Sequence, residues 1–198
     1  MRSSVPERGL WLAIVASVAV GLSTLSTGVG CDDGSGGSGA SGGGDACATE
    51  VDDRGCFNYE CFEAPQAEVS FRTDVLPIFE QSCSLSSSCH GNPTSPDTPS
   101  GYQPYLGEVN QDETPSDVAL ILETIVSKPS HVSSMNIVDP GKPESSFLMH
   151  KMDDDLDCAD LGCDGGDCGD SMPQGTSPLP RETRDVVRAW IQQGAKDN

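Results

Sequence analysis

The chain has 198 residues, which suits one domain with an appendage, and its aromatic content of 5% is too low for a thick core made of protein alone. The formal net charge of −20 argues against nucleic acids and anionic lipid surfaces as partners, and it favours partners with a basic surface. Nine cysteines are many for this length, and in an exported protein they indicate disulfide bonds or a covalently attached cofactor.

The amino-terminal segment has the composition of a secretory signal peptide. Two arginines precede an apolar run over residues 10–22, which is too short for a stable membrane-spanning helix. The run leads through small residues to Cys31, and this arrangement resembles a bacterial lipoprotein signal, with Gly28 standing where an aliphatic residue is usual. We expect a signal peptide over residues 1–30 and a lipid on Cys31, and ordinary signal cleavage nearby is the alternative.

A linker and a short extension follow. Residues 31–45 are rich in Gly and Ser, so we expect a disordered tether that holds an exported domain at the cell envelope through the lipid alone. Residues 46–69 form an extension whose three cysteines, without a nearby histidine, match no usual zinc spacing. Disulfide bonds are therefore the first interpretation and zinc the second. The three are Cys47, Cys56 and Cys61.

The rest of the chain, residues 70–198, predicts four helices and no strand, so we assign it to the all-α class. The first helix covers "SFRTDVLPIFEQSC". Thr73 can cap its amino terminus, and an apolar face is formed by Val75, Leu76 and Phe79. The helix leads directly into the first of two closely spaced cysteines.

Three further helices follow from apolar periodicity. "SDVALILETIVSKP" predicts a helix that Ser116 caps, and "DPGKPESSFLMHKM" predicts a turn and a short helix with His150 facing outward. "RETRDVVRAWIQQGA" predicts the last helix. The residues expected to face inward on the short helix are Phe147, Leu148 and Met152. Those on the last helix are Val187, Trp190 and Ile191.

An insertion over residues 153–170 combines aspartates with three cysteines. Asp153, Asp155 and Asp157 have the spacing of the first three ligands of an EF-hand loop, but Cys158 replaces the glycine that its turn requires. We interpret the insertion as a solvated disulfide loop, with a calcium site as the alternative. All six cysteines of the extension and the insertion are expected to be oxidised. Those of the insertion are Cys158, Cys163 and Cys168.

The stretch "CSLSSSCHG" at residues 83–91 carries the main functional signal. Haem is commonly attached to C-x-x-C-H, and here five residues separate Cys83 from Cys89, with His90 directly after. The five residues are small, polar and free of proline, so they can bulge outward. A disulfide between the two cysteines is the alternative, and a different metal is a third interpretation.

The order of "FRTDVLPIFEQSCSLSSSCHG", "VDPGKPESSFLMHKM" and "MPQGTSPLPRETRDVVRAWIQQGA" resembles the cytochrome c-like domains of exported bacterial proteins, including the planctomycete-type group. The resemblance implies haem c attached to Cys83 and Cys89, with His90 and Met172 as axial ligands, and first and last helices that cross. It implies an electron carrier rather than an enzyme, with a redox partner protein that docks through a basic surface. The alternative is a haem-free, disulfide-stabilised surface lipoprotein.

The second axial ligand can also be considered from the residues alone. Met172 stands out because Pro173 restricts the backbone beside it and Gly175 permits a tight turn before the last helix. The other candidates lie on the short helix or in a Ser-rich loop, where nothing fixes them towards a cofactor. They are Met135, Met149, Met152, His131 and His150.

Overall fold

Four α-helices form the framework of the part of the chain that the computed structural model describes, namely residues 47, 51–52, 54–93, 103–158 and 160–198. We label them α1 (Leu76–Ser82), α2 (Val118–Ile125), α3 (Phe147–Asp153) and α4 (Arg181–Gln192). Extended segments in these residues pair only through isolated bridges. The all-α class is confirmed for this part of the chain. The predicted signal peptide, the tether and Cys31 lie outside the described residues.

The first helix begins earlier than its predicted cap. A wide helical turn over Phe71–Val75 precedes α1, and the Ser70 hydroxyl accepts a hydrogen bond from the Thr73 amide at 3.3 Å. Ser70, not Thr73, is therefore the capping residue, because the wide turn places the free amides three residues upstream of the expected start. Pro77 lies in the first turn of α1, directly after this wide turn.

The second helix starts one residue later than predicted. The Asp117 carboxylate caps α2 by accepting from the Leu120 amide at 3.1 Å. Ser116 serves a tertiary role instead, since its hydroxyl donates to the Glu80 carboxylate at 2.6 Å and accepts from the Glu108 amide at 2.9 Å. This pair of contacts joins the start of α2 to α1.

The two ends of the helical domain pack against each other through the apolar faces expected on the first and last helices. Phe71 lies 5.1 Å from Trp190 and 6.0 Å from Phe79, measured between ring centroids. Most of the inward-facing residues predicted on the first, third and last helices belong to one core, which also takes in the inner face of α2. Leu76 is half-buried against this core, and Phe147 is buried beside the cavity rather than in the core. The chain end is fixed as well, because the Arg72 amide donates to the backbone carbonyl of Asn198.

The six cysteines of the extension and the insertion are all paired, which confirms that prediction. Cys56–Cys158 spans 102 residues and ties the extension to the start of the insertion, whereas the other two bridges are local. The local bridges are Cys47–Cys61 and Cys163–Cys168.

The insertion packs against the helical domain and is not a wholly solvated loop. Ser133 pairs with Cys163 in an isolated antiparallel bridge, and the Ser134 amide donates to the Gly162 carbonyl at 3.2 Å. Gly162 has a φ of +60°, and a Cβ there would lie 2.2 Å from the Ser134 hydroxyl oxygen, so only glycine fits. The insertion is thereby held against the loop that follows α2.

Candidate functional site

A largely apolar cavity of about 270 Å³, open to solvent on one side, lies among the end of α1, the helix α3 and the loop before α4. Helix α3 and several loops supply its apolar side chains, so the cavity is a product of the tertiary fold. Its apolar lining includes Leu106, Val132, Ile137, Phe147, Leu148, Met152 and Leu179.

The fold brings three of the four residues assigned to the cofactor to this cavity. Cys83, His90 and Met172 line it, although 89 residues separate the first from the last. Cys89 is not among the lining residues, and its sulfur accepts a hydrogen bond from the Ser86 hydroxyl at 3.2 Å.

The five residues between the cysteines form a compact loop. The His90 amide donates to the Cys83 carbonyl at 3.1 Å, which brings the histidine back beside the end of α1. The Gly91 amide donates to the Ser86 carbonyl at 3.3 Å. A Cβ on Gly91 would lie 2.4 Å from a Val109 methyl group, so the glycine after the histidine is required by close packing.

The His90 ring is held in one tautomer. Its Nδ1 lies 2.9 Å from the Pro104 carbonyl oxygen, which can only accept, so Nδ1 carries the hydrogen and Nε2 carries the lone pair. Burial lowers the pKa of His90, and the Lys151 charge adds to this, although the Pro104 hydrogen bond opposes it. A neutral, oriented imidazole of this kind is suited to bind a metal ion.

Both cysteines of the motif are free thiols in this structure. The Cys83–Cys89 disulfide, the alternative from sequence, is therefore not formed here, while the other six cysteines are paired. Burial raises the pKa of Cys83 to about 12, with a contribution from Cys89, so Cys83 is a neutral thiol at physiological pH. Such a thiol reacts slowly in disulfide exchange.

Met172 lies in the loop before α4 and is half-buried. Its amide donates to the Lys151 carbonyl at 2.7 Å, which attaches the loop to α3. Met152 also lines the cavity and is the competing thioether, whereas Met149 is fully buried in the core. His131 contributes an exposed imidazole at the edge of the cavity.

His150 was predicted to face outward, and this prediction is wrong. Its side chain is 5% exposed, with Nδ1 2.8 Å from an Asp155 carboxylate oxygen and Nε2 3.0 Å from the Glu144 carbonyl oxygen. Burial alone would lower the pKa of His150, but Asp155, with smaller contributions from Glu144 and Asp153, raises it. The charged imidazolium suits this site because both ring nitrogens face acceptors.

His150 belongs to a buried polar cluster, which we define as His150, Asp153, Asp155, Arg184 and Arg188. The fully buried Asp153 carboxylate pairs with Arg184 and, at 2.6 Å, with Arg188. Two aspartates of the EF-hand-like spacing are thus committed to different cations. Among the described residues, no group of three or more His, Cys, Asp or Glu side chains is arranged to hold a metal ion.

Two residues that shape the cavity, Pro104 and Lys151, were not predicted from the sequence. Each acts through a tertiary contact with a different segment of the chain, and neither lies in a recognisable motif.

In the described part of the chain, every helix is too short or too polar to cross a bilayer. Comparison with family models, curated proteins and solved structures finds no match.

Proposed function

We propose that this protein is a membrane-tethered c-type cytochrome that carries electrons through a covalently bound haem. The observation that carries the proposal is the shared cavity of Cys83, His90 and Met172, in which the His90 tautomer leaves Nε2 with its lone pair. The proposal includes the cytochrome c-like fold, which the contact between the first helical segment and α4 supports.

The donor set fits haem c in its chemistry. An imidazole and a thioether are a common axial pair for haem iron, and free thiols are what thioether attachment consumes. The apolar lining suits a macrocycle. The volume of about 270 Å³ lies just below the range of roughly 300–1,000 Å³ for pockets that enclose a drug-sized ligand, so a haem would fill the cavity and extend through its open side.

The chain's own residues then have separate roles. Cys83 and Cys89 would form thioether links by adding across the two vinyl groups, and Cys89 would have to turn from Ser86 towards the cavity. His90 Nε2 and the Met172 sulfur would be the two ligands that the chain offers to the iron. A haem held in this way would supply one-electron transfer. The role that we propose is therefore that of an electron carrier, and we assign no enzymatic activity.

The charge of the chain supports a protein partner for electron transfer. A net charge of −20 favours a redox partner that docks through a basic surface, with association that weakens as salt is added. The lipid proposed on Cys31 would hold the domain at the cell envelope and concentrate it near such a partner.

The proposal is tested by expressing the full chain for export in a host that matures c-type haem. The product should be red, should keep its haem after denaturation, and should gain the mass of one haem per chain. Cys83→Ser/Cys89→Ser should abolish covalent attachment, whereas Cys47→Ser/Cys61→Ser, a control pair that does not line the cavity, should retain it. A folded but colourless wild-type protein would refute the proposal and favour the haem-free lipoprotein.

The axial assignment needs its own comparison, because Met152 lines the same cavity. Met172→Ala should abolish the sulfur-to-iron charge-transfer band and open the iron to carbon monoxide. Met152→Leu keeps an apolar side chain of similar size and should leave both properties unchanged. Loss of the band in Met152→Leu but not in Met172→Ala would assign the ligand to Met152 instead.

A further inference from the structure

Lys151 connects α3 to the segment that carries Met172. Its ammonium group donates to the carbonyl oxygen of Cys168 and, at 2.7 Å, to that of Asp170. The same ammonium lies 5.3 Å from the centroid of the Phe147 ring, so its side chain lies beside an apolar residue of the cavity lining. A charged donor strengthens hydrogen bonds of this kind relative to neutral ones.

The backbone of the same residue makes the third link. The Lys151 carbonyl accepts from the Met172 amide at 2.7 Å. Residues 168, 170 and 172 are therefore each attached to one residue of α3, the first two through its side chain and the third through its backbone. Three attachments within five residues restrict rotation of the segment about its own axis.

The segment is shaped to receive the ammonium group. Gly169 has a φ of +68°, and a Cβ there would lie 3.2 Å from the Lys151 nitrogen, so a larger residue would crowd the contact. Lys151, Gly169, Asp170 and Met172 all line the cavity. The attachment point and the thioether thus lie on the same wall.

We propose that Lys151 is the positioning residue for Met172, because its ammonium and its carbonyl together fix the segment that presents the thioether to the cavity. The inference rests on the proposed function, in which Met172 is an axial ligand. Lys151 acts through the backbone of residues 168–172 and does not itself touch the iron.

The first test uses the haem-loaded protein. Lys151→Leu removes the ammonium and keeps an apolar stem, Lys151→Arg keeps charged donors, and Lys142→Leu is the control at an exposed lysine of the same chain. Lys151→Leu should lose half or more of the charge-transfer band and bind carbon monoxide more readily. Lys151→Arg should retain most of the band. A full band in Lys151→Leu would overturn the proposal.

The second test does not depend on haem. Amide hydrogen exchange at Gly169–Met172 is measured in protein made without haem maturation. Loss of one or two hydrogen bonds from a charged donor should speed this exchange about ten- to hundredfold in Lys151→Leu, with little change in Lys142→Leu. Unchanged exchange would reject the positioning role even if the band were lost. A wild-type protein that takes up no haem would reject the proposed function, while the exchange result would still decide the role of Lys151.

Discussion

The cavity and the buried polar cluster both include residues of α3, but their polar side chains differ in charge and in pairing. Lys151 and Met152 line the cavity, whereas His150 and Asp153 belong to the cluster. In the cluster, buried charges are matched with opposite charges from the same chain. In the cavity, a neutral imidazole and a neutral thiol face apolar side chains.

This difference is consistent with a structural role for the cluster and with the ligand-binding role proposed for the cavity. A buried carboxylate with two arginine partners is already satisfied, and removing a partner should cost stability rather than an activity. The His90 ring is held through Nδ1 by the Pro104 carbonyl, and an imidazole oriented in this way is suited to bind a metal ion, as the proposed function requires. Neighbouring residues of one helix can therefore be assigned to different roles from their partners alone.

The largest expected effect on stability comes from the Cys56–Cys158 disulfide. Cys56→Ser/Cys158→Ser opens a crosslink that spans 102 residues, and the chain-entropy estimate for such a loop is about 4–5 kcal/mol of unfolding free energy. Cys163→Ser/Cys168→Ser opens a bridge that spans five residues beside the cavity and should cost about 2 kcal/mol. Urea unfolding of the two double variants measures the difference. An equal loss in both would contradict the distinction between a global and a local crosslink.

A smaller loss is expected from the cluster's own charges. Arg188 is fully buried, pairs with Asp153 at 2.6 Å, and lies 3.6 Å above the Phe57 ring. Arg188→Met should lower the unfolding free energy by about 3 kcal/mol, at the low end for a broken buried pair because Arg184 still holds the carboxylate. Chemical denaturation gives the value.

Adding Asp153→Asn to Arg188→Met provides the control. The double variant should recover part of the loss, because it no longer buries an under-compensated carboxylate. Haem retention should be unchanged in both variants. Loss of haem without loss of stability would show that the cluster serves the cavity.

Apolar periodicity predicted the helices and their buried faces, because burial of a face depends on local spacing. The contact between α4 and the first helical segment was an implication of the resemblance, to which those faces are suited. The export compartment predicted that six cysteines are oxidised, which the three disulfides confirm. The same reasoning failed for His150, because its ring is held inside by the Asp155 carboxylate and the Glu144 carbonyl, and apolar periodicity does not encode such polar contacts. It also misplaced the caps of α1 and α2, since Ser70 and Asp117 compete with neighbours of equal capping propensity.

The smallest expected effect is the pH dependence of folding stability in haem-free protein. His150 and His90 should contribute to it in opposite directions. The pKa of His150 is raised, so its contribution to stability is present below the unfolded value of about 6.5 and is lost as the pH rises through the folded value. The pKa of His90 is lowered, so its contribution is present above about 6.5 and is lost as the pH falls through the folded value.

Asp153, Asp155 and the Glu144 carbonyl act on His150, whereas Lys151 and the Pro104 carbonyl act on His90. The stability difference between wild type and His150→Gln should therefore shrink as the pH rises, and that between wild type and His90→Gln should shrink as it falls. Nuclear magnetic resonance titration of the two imidazoles provides the direct check, and pKa values displaced in the same direction would remove the electrostatic distinction between the cavity and the cluster.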